Sequence, residues 1–579
     1  MAPKKPKKKK KAKNKLKPEE RKLQKLQRAH IQSARAIFRN LGFERVSEIP
    51  GVEIEIGGQA GEFDDAYLYE NLLLLFEYTA SQSSSVTDHL KNKKIIFSKV
   101  LNDSRGFIEY FRKKSKPFDD RLNDKFHSDQ YILKIVYCSL NQFNEAIKNI
   151  VNEPVYLDYP VLKYFEKIAR TIKMSALSEV LEFLDVEPGD VARDGKFPNK
   201  AQSVSYHGSI LPESSSGFPP GYKVVSFYAD AASLLSRAYV LRRDGWRGSY
   251  QAYQRMVIRA KIEAIRRKLK SEKRVFVNNL IATLPSDVHP ELPNGKTADI
   301  KALTKTEPVI IRLPVRQNSI GVIDGQHRLY SYYEARDDDP KIAKLRHQQN
   351  LLVTGVIYPE GTKREEVERF EAALFLSINA NQTNAPTPLR QEIDVFLSPF
   401  SQTAIGRQVM QRLAKDGPLE GHVENYFFDK GKLKTSSIVS YGLGPLIKLG
   451  GDDSLFKLFE HPEKEELAKG ESTNGLEAYL SFAVKVINIF LGAVKANVES
   501  SRWTPDPTVK NRLLAVTYVN SFLITLRFLI QNGHSVEFKS LKAAMNGLNN
   551  FTFKNYHSSQ YARMAEHIYN KHFKSASAP

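Results

Sequence analysis

Residues 62–81, EFDDAYLYENLLLLFEYTAS, set two apolar runs on either side of the polar pair Glu70-Asn71. Runs this short, parted by a polar break, read as two paired strands rather than one helix. A helical pattern precedes them, AHIQSARAIFRNLGF (29–43), stopped by Gly42. A basic helical stretch, VTDHLKNKKIIFSKVLND, and an apolar strand, QYILKIVYCSL (130–140), follow. Helix, hairpin, helix and strand in this order predict a compact α/β unit over residues 31–160.

The chain has 579 residues, too many for one hydrophobic core, so several domains are expected. After the first unit, SVSYHGSILPESSSGFPPGY (203–222) is rich in Ser, Gly and Pro and reads as a surface loop within a connector over 161–220. Strand and helix patterns alternate again over 221–395. From 396 to 579 the pattern is mainly helical and without repeats. The expected architecture is therefore α/β and multidomain, with a helical C-terminal region.

Charge narrows the partners. Eighty-seven Lys and Arg against 65 Asp and Glu give a net +22, which favours polyanions such as nucleic acid. Residues 1–30 hold fourteen of the basic residues against only Glu19 and Glu20, and read as a disordered basic tail. Residues 250–270 read as one long basic helix, with Arg255, Arg259, Arg266 and Lys270 spaced to share a face that could follow a DNA backbone. Cys138 is the single cysteine, so the chain has no internal disulfide framework, which fits a cytoplasmic location. The apolar runs at 481–494 and 513–530 are interrupted by Lys485, Asn488, Asn520 and Arg527, and read as buried helices rather than membrane spans.

The stretch GVIDGQHRLYSYYEA (321–335) runs an apolar strand into a glycine and then a helix. Free amides at a helix mouth, with the helix dipole, favour an anion, and an arginine fork suits phosphate oxygens. Gly325 and Arg328 are thus candidates for a phosphate cradle. His327 could donate to the same anion, and Asp324 could cap the helix or hold a cation. This segment resembles the signature of the DGQHR-domain family, DndB-like proteins of DNA-phosphorothioation operons related to the ParB/sulfiredoxin superfamily. FYADAASLLSRAYVLRR, YQR (253–255), RVFVNNLI (274–281) and FLSINANQ (375–382) resemble further family elements in the same order. The resemblance implies an α+β ParB/sulfiredoxin-like domain over 221–395. Its phosphate- or nucleotide-binding residues would be Asp324, Gly325, Gln326, His327 and Arg328, with Asn379 beneath and Gln382 close by. ATP or another NTP is an implied ligand, NTP hydrolysis an implied activity, and DNA-modification or defence proteins are implied partners. Gln326 stands where sulfiredoxin has its reactive cysteine, which removes sulfur-redox chemistry.

The hairpin resembles the PD-(D/E)XK restriction-endonuclease fold, in which clustered carboxylates hold Mg²⁺ beside a lysine. By that resemblance Asp64 or Asp65 is the first carboxylate and Glu77 the second, with Asp65 and Glu77 as metal ligands. Glu48 or Glu53 could add another ligand. Thr79 occupies the lysine position. Either Lys91, Lys93 or Lys94 of the next helix replaces it, or the site is degenerate. A Mg²⁺-dependent DNase, a phosphate-binding DNA-associated protein and a non-catalytic regulator are the three functions in contention.

Overall fold

The computed structural model describes residues 18–56, 59–81, 83–122, 126–143, 145–191, 203–242, 246–247, 254–380, 387–426, 428–557 and 559–574. Its first sheet has five strands in spatial order: Glu44–Arg45 (β1), Asp65–Tyr69 (β2), Leu72–Thr79 (β3), Ile132–Ser139 (β4) and Val155–Leu157 (β5). Glu70, at φ 51°, makes the turn between β2 and β3. β1, β2 and β3 pair antiparallel, whereas β4 lies parallel to β3 and so needs a crossover. Helices Ser83–Asn102 (α2) and Ser104–Lys114 (α3) provide it, after an opening helix Pro18–Asn40 (α1).

Leu72–Phe76 is unbroken in apolarity because both faces of β3 are covered. Leu72, Leu74 and Phe76 pack against α1, while Leu73 and Leu75 pack beneath α2 and α3. α1 begins at Pro18, so residues 18–30 are helical rather than part of a disordered tail. Residues 1–17 lie outside the described residues.

The second sheet has seven strands: Ser203–Ile210 (β6), Lys223–Asp230 (β7), Ala238–Tyr239 (β8), Leu280–Leu284 (β9), Glu307–Pro314 (β10), Ile320–Asp324 (β11) and Asn350–Ile357 (β12). Their spatial order is β8-β11-β9-β12-β7-β6-β10, with parallel and antiparallel pairs mixed. The stretch read as a surface loop therefore contributes β6, which pairs with β10 along its whole length. Polar composition misled here because β6 alternates exposed and half-buried residues at one side of the sheet.

Helices Tyr159–Ile172 (α4) and Leu177–Phe183 (α5) join the two sheets. One continuous core contains Phe38 of α1, Phe76 of β3, Phe165 of α4, Val180 of α5 and Val353 of β12. Charge is buried in it too. Glu179 of α5 accepts from Arg242 Nη1 at 2.9 Å, from Arg247 Nη1 at 3.1 Å and from the Tyr164 hydroxyl. Arg242 is 1% exposed; its Nε donates to Gln326 Oε1 at 3.2 Å and its guanidinium lies over the Tyr330 ring.

The C-terminal region has a separate core built on Gln402–Leu413, Thr473–Ala496, Val516–Gln531 and Tyr561–His572. Among the described residues, Thr473–Ala496 is the one helix long and apolar enough to cross a membrane. Half of its most apolar window is buried in the protein, with Tyr479, Ile487 and Phe490 packed into the C-terminal core.

Removing Glu179 would strand the Arg242 guanidinium in the core and leave Arg247 with Glu182 as its acidic partner. Glu179→Ala is expected to cost about 3–5 kcal/mol, the penalty for breaking a buried ion pair, read as a lowered midpoint of urea unfolding.

Candidate active site

Asp64 and Asp65 are adjacent in the chain and have opposite environments. Asp65 is fully buried on the α1 side, where Arg35 Nε donates at 2.7 Å, Arg45 Nε at 2.5 Å and the Tyr67 hydroxyl at 3.0 Å. Two guanidiniums already neutralise this carboxylate and take up its lone pairs. The assignment of Asp65 as a catalytic residue and metal ligand is therefore corrected: it is a structural ion-pair acceptor.

Asp64 is open to solvent. Its amide donates to Phe76 O at 2.9 Å, and its Oδ2 accepts from the Tyr78 amide at 2.7 Å. These two bonds fix it beside the end of β3, next to Glu77. Partial burial, then Glu62 and Asp65, hold its carboxyl above the usual aspartate value against the pull of the Tyr78 amide and Lys93.

Glu77 is 6% exposed and faces α2. Lys93 Nζ lies 3.0 Å from its Oε1 and 3.1 Å from its Oε2, and donates to Glu62 O at 3.1 Å. His89 Nε2 is 3.7 Å from Oε1, while His89 Nδ1 is 3.0 Å from the Tyr137 hydroxyl. Residues 89 and 93 are four apart on α2 and so lie on one helical face. Burial above all, with Asp64 and Glu62, pushes the Glu77 carboxyl up to about 7 although Lys93 pulls it down. A carboxyl perturbed this way by burial and a like charge, beside a cation, is the kind of group found where chemistry is done.

Of the lysines offered by the sequence, Lys93 is the one that pairs with Glu77. Lys94 turns away to Ile150 O at 3.0 Å. Glu48 is held by Arg121 at 3.1 Å and does not join the centre. His89 and Tyr137 escaped the sequence reading, although the four-residue spacing of His89 and Lys93 was visible there. On the α1 side a cleft of about 240 Å³ opens onto Asp64 and Thr79, lined also by Gln27, His30 and Arg35. Among the described residues no three His, Cys, Asp or Glu side chains gather into a metal-binding group. Asp64 and Glu77 supply the hard carboxylate oxygens that Mg²⁺ prefers, and that ion commonly takes one or two carboxylates and fills its remaining positions with water and substrate phosphate.

The corner at 324–328 is braced from within. Gly325 ends β11 at φ 98°, and a Cβ there would come within 2.4 Å of the Leu280 side chain. Arg328 Nη2 donates to Asn279 O at 2.8 Å and Asp324 Oδ2 at 2.9 Å; its Nε is buried without a partner. Gln326 is buried between Arg242 and the backbone of Arg255, donating to Arg255 O at 3.2 Å. His327 Nε2 accepts from the Ile258 amide at 3.1 Å. Burial, then Lys261, Arg242 and Arg328, drive the His327 pKa down to about 4, so the ring is a neutral acceptor at pH 7. Asn379 bonds its own helix at Phe375 O, 2.9 Å. Gln382 lies outside the described residues.

The basic segment does not form one helical face. The helix spans Arg259–Glu272 only (α6), with Arg255 ahead of it in extended chain. Arg259 is exposed, and Lys270 pairs with Asp339 at 3.0 Å. Arg266 is corrected from a DNA contact to a buried brace: it is 6% exposed and donates to Ser331 O at 2.9 Å, with its guanidinium 3.8 Å from the Tyr333 ring centre.

A scan of protein-family models, a search of curated proteins and a search of solved structures each returned no match.

The His327 contact has a pH signature. Its folded pKa lies below the ordinary 6.5, so its contribution is full above 6.5 and is lost as pH falls toward 4. Amide exchange at Ile258, corrected for intrinsic rate, should lose protection across that window, and His327→Phe should lose it already at pH 7.

Proposed function

We propose that this chain is a DNA-associated protein of the DGQHR class that hydrolyses phosphodiester bonds with Mg²⁺ at Asp64, Glu77 and Lys93. Its setting would be a prokaryotic DNA-modification or phage-defence system. The observation that carries the reading is the Lys93 ammonium 3.0 Å from a buried Glu77 beside Asp64. These are the group types of a restriction-endonuclease-like centre, with the lysine supplied from α2 instead of β3.

Each residue has a separable task. Bound Mg²⁺ would supply charge neutralisation and an activated water. Asp64, pinned by the Tyr78 amide, and Glu77 would hold it through hard carboxylate oxygens. With Glu77 committed to the cation, Lys93 would be free to pair with a non-bridging phosphate oxygen and would stabilise the negative charge that grows there. His89, held through the Tyr137 hydroxyl, lies on the Glu77 side of the centre and can take up or pass on a proton.

With Mg²⁺ the protein should nick plasmid DNA, and Glu77→Ala or Lys93→Ala should each lower the rate by about 10²-fold or more, measured by gel assay. Glu77 must lose its proton to bind a cation, so the rate should rise with pH through about 7. More Mg²⁺ should shift that limb to lower pH by competing with the proton. Loss of Lys93 should raise it, because Lys93 holds the Glu77 pKa down. A wild-type protein that leaves DNA intact at every pH contradicts the reading.

A second reading places a nucleotide or DNA phosphate at the corner, supported by the partnerless Arg328 Nε. The phosphate would take over from Asp324 as the partner of the fork. ATP binding lost in Arg328→Ala, with DNA binding retained, is the expected result. Tight binding to one promoter without cleavage or ATP binding would instead favour a DndB-like regulator.

A further inference from the structure

Between the Asp64 opening and the corner at 324–328 lies a basic cleft of about 410 Å³, lined by Lys163, Glu166, Lys167, Arg170, Ile258 and Arg259. Four cations face one acid, and that acid is spent. Glu166 accepts from the Ser33 hydroxyl at 3.2 Å, from Lys163 Nζ at 2.8 Å and lies 3.2 Å from Arg170 Nη2. The side chains of Arg170 and Arg259 are 58% and 65% exposed; Arg170 shares Glu166 with Lys163 and Arg259 Nε lies 4.0 Å from Glu263 Oε1, solvent-exposed pairings weak enough for a ligand to compete with.

The cleft's position gives it meaning. Ser33, which ties Glu166 to α1, is one turn from His30, and His30 lines the opening onto Asp64 and Thr79. At the other end, Ile258 lines the cleft and donates its amide to His327. The α1–α4 pair therefore connects the Asp64 opening to the corner at 324–328, and the cleft occupies the middle. Lys261, one turn from Ile258, helps depress the His327 pKa, which marks the same side as electropositive.

We propose that this cleft holds the phosphodiester backbone of DNA on the α1 side of the sheet, beyond the opening onto Asp64. The proposal rests on the functional reading above for the identity of the polyanion. The chemistry required is a run of singly charged phosphates, which a line of guanidinium and ammonium groups neutralises without reading bases. This surface replaces the helical face that the sequence pointed to, keeping Arg259 and adding residues of α4 more than 80 positions away in the chain.

The test is a salt titration of binding by the full chain to a short DNA duplex, with Ca²⁺ in place of Mg²⁺ to hold cleavage. Each phosphate contact contributes about 0.9 to the slope of log affinity against log salt. Arg170→Gln with Arg259→Gln should lower the slope by about 1.8 and weaken binding at low salt. Arg105→Gln, an exposed arginine on α3 at the far side of β3, should leave it unchanged. An unaltered slope in the double variant, or an equal fall in Arg105→Gln, overturns the proposal. Hydrolysis of bis(p-nitrophenyl) phosphate by the wild-type protein reports on the cleavage centre alone. A lowered slope without that hydrolysis keeps the cleft and removes the nuclease, and hydrolysis with an unaltered slope does the reverse.

Discussion

Glu179 is the fixed point of this molecule. One carboxylate binds two buried guanidiniums and a tyrosine hydroxyl, and through Arg242 it reaches Gln326 in the corner between β11 and its helix. Burying three charges is expensive unless each is paired and hydrogen-bonded. The network meets that condition only while α4, α5 and the second sheet stay in register. It thereby sets how the hairpin unit and the DGQHR corner are placed, and every cleft between them inherits that geometry.

The same electrostatic reasoning separates the neighbouring carboxylates of the hairpin. Asp65 receives more positive charge than it needs and becomes inert. Glu77 receives one ammonium and lies close to Asp64, so burial and repulsion leave its proton poised near neutrality. A shared place on the hairpin hides this difference, because side chains alternate across a strand and fall into unrelated environments. What the hairpin puts on the α1 face holds the fold together. What it puts on the α2 face, Glu77, is matched by the single ammonium of Lys93.

Much of the architecture could be read from the chain. The turn at Glu70-Asn71, the basic helix after the hairpin and the strand at 132–139 all follow from apolar run lengths and their polar breaks, whereas the cover on both faces of β3 and its parallel pairing with β4 do not. β6 could not be read, because its serines and glycine resemble a loop until β10 is known to pair with them. The arginine spacing over 255–270 was legible as a pattern but misleading as a surface. Arg266 finds backbone carbonyls and a tyrosine ring at the core shared by the two sheets, and helical spacing alone does not say which face is buried. Glu77 was visible at the end of its strand, and Lys93 was one of three lysines open to choice. Their pairing depends on the tilt of α2 across the sheet, which no local pattern encodes. The cluster at 324–328 was recognisable as a corner, whereas its internal bracing depends on partners at Arg242, Ile258 and Asn279, far away in sequence.

The central claim is that Asp64 and Glu77 together take a divalent cation and release Lys93 for phosphate. Anomalous diffraction from crystals grown with Mn²⁺ tests it most directly. The account predicts one peak beside the Asp64 and Glu77 carboxylates, with Lys93 Nζ no longer clasping Glu77. A map without density there, the ammonium still bonded to Glu77 at saturating Mn²⁺, would contradict it.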